Sequence, residues 1–392
     1  MGALRLASRM ERIGTETAFA VGVRARALEE QGRDVVKLQI GEPDFDTPAN
    51  IVDAAVEALR SGWTHYGAAA GDPELRAAIA NYIQRSRGAS YTPEQVVVTP
   101  GGKPVMFFLI LALLEAGDEA IYPDPGFPIY RSMIDFTGAT SVPIPLREEN
   151  QFRLDVDELE SLITGRTRLL ILNSPGNPTG GVLSREDLER IAKLAVQHDL
   201  VVLADEIYSE LIYEGEHVSI ATFPGMLERT VILDGFSKTY AMTGWRLGYG
   251  LLPEPLVEPV VTLMVNSNSC TNVATQRAGI EALTGPQDAV AEFREAFRRR
   301  RKLIVDGLND IPGITCVMPS GAFYAFPNIS SFGMTSDEFE LRLLNEYGVA
   351  GVSGTSFGAA GEGYLRLSYA ASEERLSEAL VRIRQAAEAW GG

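Results

Sequence analysis

The stretch from Thr167 to Glu206 reads TRLLILN (167–173), SPGNPTGGVL (174–183), SREDLERIAKLAVQH (184–198) and DLVVLADE (199–206). The first and last pieces are short apolar runs with no alternation, the pattern of strands covered on both faces. The piece from 184 to 198 has the spacing of an amphipathic helix. A strand, a helix and a second buried strand in this order predict a parallel pair joined by a crossover. The same alternation extends in both directions. EQVVVTP (94–100) reads as a strand, and PVMFFLILALLEAG (104–117) as a buried helix ended by Gly117. DEAIYPD (118–124), RTVILDG (229–235) and WRLGYGLLP (245–253) read as further strands. The expectation is an α/β fold, a mostly parallel sheet with helices on both faces.

Beyond about residue 286 the texture changes. AVAEFREAFRRRRKLIVDGLNDIPG (289–313) reads as a long charged helix. GAFYAFPN, GVAGVSG and GYLRLSYA read as short strands, and SEERLSEALVRIRQAAEAW as a closing helix. We expect a large domain over 46–286. A smaller α+β domain would combine 1–45 with 287–392. The run Arg298-Arg299-Arg300-Arg301 is expected to be a solvated helix face.

The chain has 392 residues, 45% of them hydrophobic, enough for a large core. Its net charge of -17 argues against nucleic acid or an anionic membrane as partner. Two cysteines and three histidines far apart in sequence supply neither a disulfide framework nor a metal-ligand cluster. The longest apolar run, Val105 to Leu114, is well short of the ~18 residues of a membrane span. These features read as a cytoplasmic chain with no metal.

Chemistry-bearing residues collect where the strands end. Gly101-Gly102-Lys103-Pro104 joins a strand to a helix start, where free N–H groups and the helix dipole favour a phosphate. Asn173-Ser-Pro-Gly-Asn-Pro-Thr-Gly180 follows LLIL, so Asn177 sits at the carboxyl edge where open α/β sheets bind ligands. Pro175 and Pro178 are each able to take a cis bond. Asp205 ends an apolar strand, and such a carboxylate is costly to bury without a cationic partner. Tyr208, three residues on, reaches the same space; Glu206 reads as a solvated residue at a helix start. Lys238 stands alone in DGFSKTYAMTGWRLGYG (234–250), eight residues before Arg246. Taken alone it is an ordinary loop lysine. Beside a phosphate cradle and a strand-end acid, it is a candidate for Schiff-base chemistry. Arg366 in GYLRLSYA lies among apolar residues, where its planar fork suits a carboxylate.

SPGNPTG, DEIY, SKTYAMTGWRLGY and RLSYA, in this order, resemble the class I/II aminotransferases, the fold type I pyridoxal phosphate enzymes, and most of all the bacterial aspartate and prephenate branch. The resemblance runs from GEPDFDTP (41–48) to GYLRLSYA (363–370). It implies that Lys238 holds pyridoxal phosphate covalently and that Asp205 pairs with its pyridine nitrogen. Asn177 and Tyr208 would meet the ring's 3-oxygen, and Phe127 would stack on the ring. Gly102, Lys103, Ser237 and Arg246 would hold the phosphate, and Tyr66 would reach the phosphate of a partner subunit, so a homodimer with shared sites is implied. Arg366, with Gly41 and Asn177 nearby, would bind the substrate α-carboxylate, and Lys103 is the candidate for a distal carboxylate. The implied reaction moves an amino group between an L-amino acid, aspartate or glutamate foremost, and a 2-oxo acid such as 2-oxoglutarate. Gly235 and Phe127 depart from the serine and tryptophan of many relatives. A pyridoxal phosphate lyase, synthase or decarboxylase would keep Lys238, Asp205 and Arg366. A metabolite-sensing regulator would be expected to carry a basic DNA-binding module, which this acidic chain lacks.

Overall fold

Alternate residues of the central strands face opposite layers. In the computed structural model, which describes residues 4–391, Leu169, Ile171 and Leu203 pack against the helices Lys103–Leu113 and Glu254–Asn268. Their neighbours Leu170, Leu172 and Val202 pack on the opposite side against Leu188, Ile191 and Ala195 of the helix Arg185–Gln197. A strand whose successive side chains enter two cores has no polar face, which explains the unbroken apolar runs.

The strands are β1 (Val36–Lys37), β2 (Val96–Thr99), β3 (Glu119–Asp124), β4 (Thr140–Pro145), β5 (Thr167–Asn173), β6 (Val201–Asp205), β7 (Thr230–Gly235), β8 (Gly248–Leu251), β9 (Tyr324–Ala325), β10 (Val349–Ala350), β11 (Val352–Ser353) and β12 (Leu365–Ser368). Seven form the central sheet, in the order β2-β8-β7-β6-β5-β3-β4. The pairings from β7 through to β4 are parallel, and β8 runs antiparallel between β2 and β7. Asn173 pairs with Asp205 across β5 and β6, so both stand at one carboxyl edge. The turn after β7 brings Lys238 to the same edge.

β1 pairs in parallel with β10, which ties residues near the start of the chain to its last third. β9, β12 and β11 make a three-stranded antiparallel sheet. A core containing Leu38, Phe297, Ile304, Phe323, Leu367, Leu376 and Ile383 joins these strands to the helices Asp288–Asn309 and Glu373–Trp390.

Two expectations need correction, and one strand was not expected. The buried helix ends at Leu113, not at Gly117, which lies beyond it at φ +107°. The sheet has an edge strand, β4, that TSVPIP conceals. Its two prolines withhold N–H groups, which an edge tolerates. The four arginines 298–301 do not share one face, because successive helical residues turn by about 100°. Arg298 and Arg299 are outside. Arg300 is buried and forks onto Asp44 at 2.6 and 3.0 Å, and Arg301 is buried against Glu214 at 2.5 Å. Among the described residues no helix is long and apolar enough to cross a membrane.

Candidate active site

A cavity of about 640 Å³ opens at the carboxyl edge of the sheet. Of the residues expected to hold cofactor or substrate, all but Tyr66 line it. Tyr66 is 88% exposed and outside the cavity of its own chain.

Lys238 follows β7, and its ammonium donates to the carbonyl of Gly41 at 2.6 Å. No carboxylate of the described residues pairs with it. Burial lowers its pKa to about 8 from an ordinary 10.5, because desolvation disfavours the charged form. A side chain on Gly41 would collide with the hydroxyl of Tyr324, so glycine is what lets this carbonyl approach.

Asp205 ends β6 and is buried. It accepts a hydrogen bond from the Tyr130 hydroxyl at 2.5 Å and one from the Ile207 N–H at 3.3 Å. No described cation pairs with it, and burial raises its carboxyl to about 6. A protonated ring nitrogen would satisfy this acid. Behind it, Glu206 departs from expectation. No helix starts there, and the side chain is buried with Arg87 at 3.1 Å, His217 at 3.0 Å and the Ser219 hydroxyl at 2.6 Å. Arg87 also pairs with Asp234 at 2.5 Å, so one guanidinium serves two buried carboxylates.

The proline loop is ordered by Asn173, whose Oδ1 accepts from the Asn177 N–H at 2.8 Å and whose amide donates to the carbonyl of Asp205 at 3.1 Å. The Ser174–Pro175 and Asn177–Pro178 bonds are both cis. Tyr208 shares a 2.7 Å hydrogen bond with Tyr324. Phe127 packs edge-on to Tyr130 at 5.6 Å between ring centres.

Arg366 lies on β12 opposite Val352 and is buried. It donates to Asn177 Oδ1 at 3.1 Å and to the carbonyl of Gln39. Its Nε has no partner, and no described carboxylate pairs with it. The guanidinium is sandwiched over Tyr324 at 4.7 Å and Phe357 at 4.8 Å. Burial lowers its pKa.

The glycine turn fits a phosphate. Gly101 has φ +88°, and a Cβ there would collide with the Arg246 guanidinium. Among the described residues Arg246 donates only to carbonyls, those of Thr243 at 3.0 Å and Pro100 at 3.4 Å. Gly102 and Lys103 open the helix Lys103–Leu113, whose first N–H groups lack intrahelical partners. Ser237 also lines the cavity. At Gly235 a Cβ would come within 3.0 Å of Gly248 Cα and 3.1 Å of the Leu247 carbonyl, so a side chain there would push β7 and β8 apart by a few tenths of an ångström.

Tyr130, Tyr324, Asn173 and Glu16 were not singled out from the sequence. Tyr130 had a signal in its place three residues after Phe127, one helical turn away. Asn173 had one in its position as the last residue of β5. Tyr324 and Glu16 had none, since their roles depend on long-range packing.

An acid without a cation, an arginine without an anion, a desolvated lysine and a glycine-lined cradle together fit pyridoxal phosphate and an amino acid. The chain belongs to the aminotransferases of class I and II, whose family model matches residues 33–383. Members transfer amino groups between amino acids and 2-oxo acids, and the family implies pyridoxal phosphate as cofactor. The aspartate aminotransferase of Pyrococcus abyssi is 45% identical over 357 residues, 90% of this chain and 92% of that one. Aromatic-amino-acid aminotransferase 2 of Thermococcus litoralis is 41% identical over 97% of this chain and 98% of its own. The solved structure of Thermus thermophilus aspartate aminotransferase with maleate has a TM-score of 0.93 at 42% identity, covering 98% of this chain and 100% of that one.

Proposed function

We propose that this aminotransferase takes the amino group of an L-amino acid, aspartate or glutamate foremost, and gives it to a 2-oxo acid such as 2-oxoglutarate, with pyridoxal phosphate held covalently by Lys238. The observation that carries this reading is the convergence of Lys238, Asp205 and Arg366 on one cavity. When bound, the cofactor supplies an electron-withdrawing ring that accepts the negative charge left at the substrate α-carbon.

The residues divide the remaining work. Arg366 grips the α-carboxylate in its fork, supported by Asn177, which fixes the α-carbon beside Lys238. The Lys238 amine, set free once the substrate amine takes its place and deprotonated in part near neutrality, would remove the α-proton and return it on the far side of the transfer. Asp205 would keep the ring nitrogen protonated, and Tyr130 holds Asp205 in place. Tyr208, steadied by Tyr324, and Asn177 would donate to the ring's 3-oxygen. Phe127 would cover one ring face. Gly102, Lys103, Ser237 and Arg246 hold the phosphate, with Tyr66 of a second copy of the chain completing it in a homodimer. Lys103 at the cavity wall faces a distal carboxylate. In this reading residues 46–286 carry the cofactor, and 1–45 with 287–392 bring Arg366 to it.

The test is the visible spectrum of the protein loaded with pyridoxal phosphate. Addition of aspartate should shift the band, and 2-oxoglutarate should restore it. Release of ammonia, or a shift that no 2-oxo acid reverses, would contradict transamination and favour a lyase.

A further inference from the structure

Glu16 precedes the helix Thr17–Glu30 at its N-cap position, yet its side chain caps no N–H of that helix. The short side chains of Ser, Thr, Asp and Asn are the ones that ordinarily cap a first turn, and the longer Glu16 is free to reach elsewhere. Here the carboxylate enters the active-site cavity and pairs with Lys103, its side chain 20% exposed against 48% for the lysine. The anomaly lies with Lys103. It is the first residue of the helix Lys103–Leu113, the end at which the backbone dipole disfavours a cation. Its ammonium stands 5.5 Å from the centre of the Phe127 ring. The charge of Glu16 also acts on Lys238, Arg366 and Tyr324, so it sits inside the electrostatic field of the site.

We propose that Glu16 is an internal occupant of the subsite for the substrate side chain. An amino acid with a distal carboxylate must take Lys103 from Glu16, whereas one with an uncharged side chain leaves the pair closed and packs beside Phe127. Glu16 is therefore a specificity-determining residue. It reduces the preference for acidic substrates that Lys103 alone would confer, and it makes a large neutral or aromatic side chain an acceptable alternative. The inference rests on the reading of Lys103 given above. Because the pair is half exposed, breaking it accounts for about a fivefold effect on affinity.

The experiment uses the cofactor-loaded protein and two non-reacting carboxylates, succinate and 3-phenylpropionate, with dissociation constants read from the cofactor absorption band. The wild type, Glu16→Gln, Lys103→Met and the double variant are compared at neutral pH and low salt. Glu16→Gln should tighten succinate about fivefold relative to 3-phenylpropionate. Lys103→Met should weaken succinate more in the Glu16→Gln background than in the wild type, because only there is the ammonium free to be lost. A succinate to 3-phenylpropionate ratio that stays within twofold, or rises, overturns the proposal. Equal, non-zero effects of Lys103→Met in both backgrounds overturn the role of Glu16 alone. No effect of Lys103→Met in either background overturns the reading of Lys103 and this inference with it. Transamination itself is judged separately, by the reversible band shift with amino and 2-oxo acids.

Discussion

Replacing Arg366 with Met separates a binding arginine from a structural one. The guanidinium is buried, lacks a carboxylate among the described residues, and leaves Nε without a partner. In the ligand-free protein its removal relieves an uncompensated desolvated charge, while the Gln39 carbonyl and Asn177 Oδ1 lose a donor. The opposing effects are each about 1–3 kcal/mol, so the net change in stability should lie within about 1 kcal/mol of zero. Breaking a true buried ion pair would instead cost about 3–5 kcal/mol. Activity should respond very differently. A bidentate grip on the α-carboxylate is two charge-assisted hydrogen bonds at about 1.5–3 kcal/mol each. Their loss predicts a fall in kcat/KM of roughly two to four orders of magnitude. Arg366→Lys, which keeps the charge but not the fork, should fall between. Urea unfolding of the cofactor-free protein and steady-state kinetics with aspartate measure the two quantities. A variant that loses more than about 3 kcal/mol of stability yet keeps kcat/KM within tenfold would refute the argument, because Arg366 would then be a member of the scaffold.

Asp205→Asn tests the strand-end acid. Its carboxyl is raised from 3.8 to about 6 in the cofactor-free protein, so its stabilising contribution is present below about pH 4 and lost as pH rises through about 6. The variant should lack that slope in urea midpoints measured from pH 4 to 6, and should bind pyridoxal phosphate more weakly; identical slopes would contradict the assignment. Lys238 has the opposite sign. With its pKa lowered to about 8, the folded protein sheds a proton that the unfolded chain keeps up to about 10.5, so stability from this group rises between those pH values. The rate of pyridoxal phosphate uptake should climb with pH and level above about 8, and an inflection near 10 would show an ordinary solvated lysine. Arg300→Met, which strands Asp44, should lower stability by about 1–3 kcal/mol, whereas Arg299→Met should change it by less than about 0.5 kcal/mol. Equal small effects would remove the distinction between the two faces of that helix.

The central sheet was legible because buried parallel strands leave unbroken apolar runs, and β5, β6 and β7 are of that kind. Their ends were legible too, since Asp205 and Lys238 are charges with no reason to follow such runs. β4 was hidden because TSVPIP has an edge strand's tolerance for proline and only one buried residue, Ile144. Glu206 and Arg87 are 119 residues apart in the chain, and Arg300 and Asp44 are 256 apart, so the partners that bury these charges could not be inferred from neighbours in sequence. Tyr324 and Glu16 join the site for the same reason, through the packing of distant segments against the sheet edge.

The most direct test of the account is to reduce the cofactor-loaded protein with borohydride, digest it and map the pyridoxyl mass by peptide sequencing. The account predicts a single labelled peptide, the one carrying Lys238, and no label in a Lys238→Ala variant that still folds and has lost turnover. Label on Lys103 or another lysine, or turnover retained in Lys238→Ala, would contradict it.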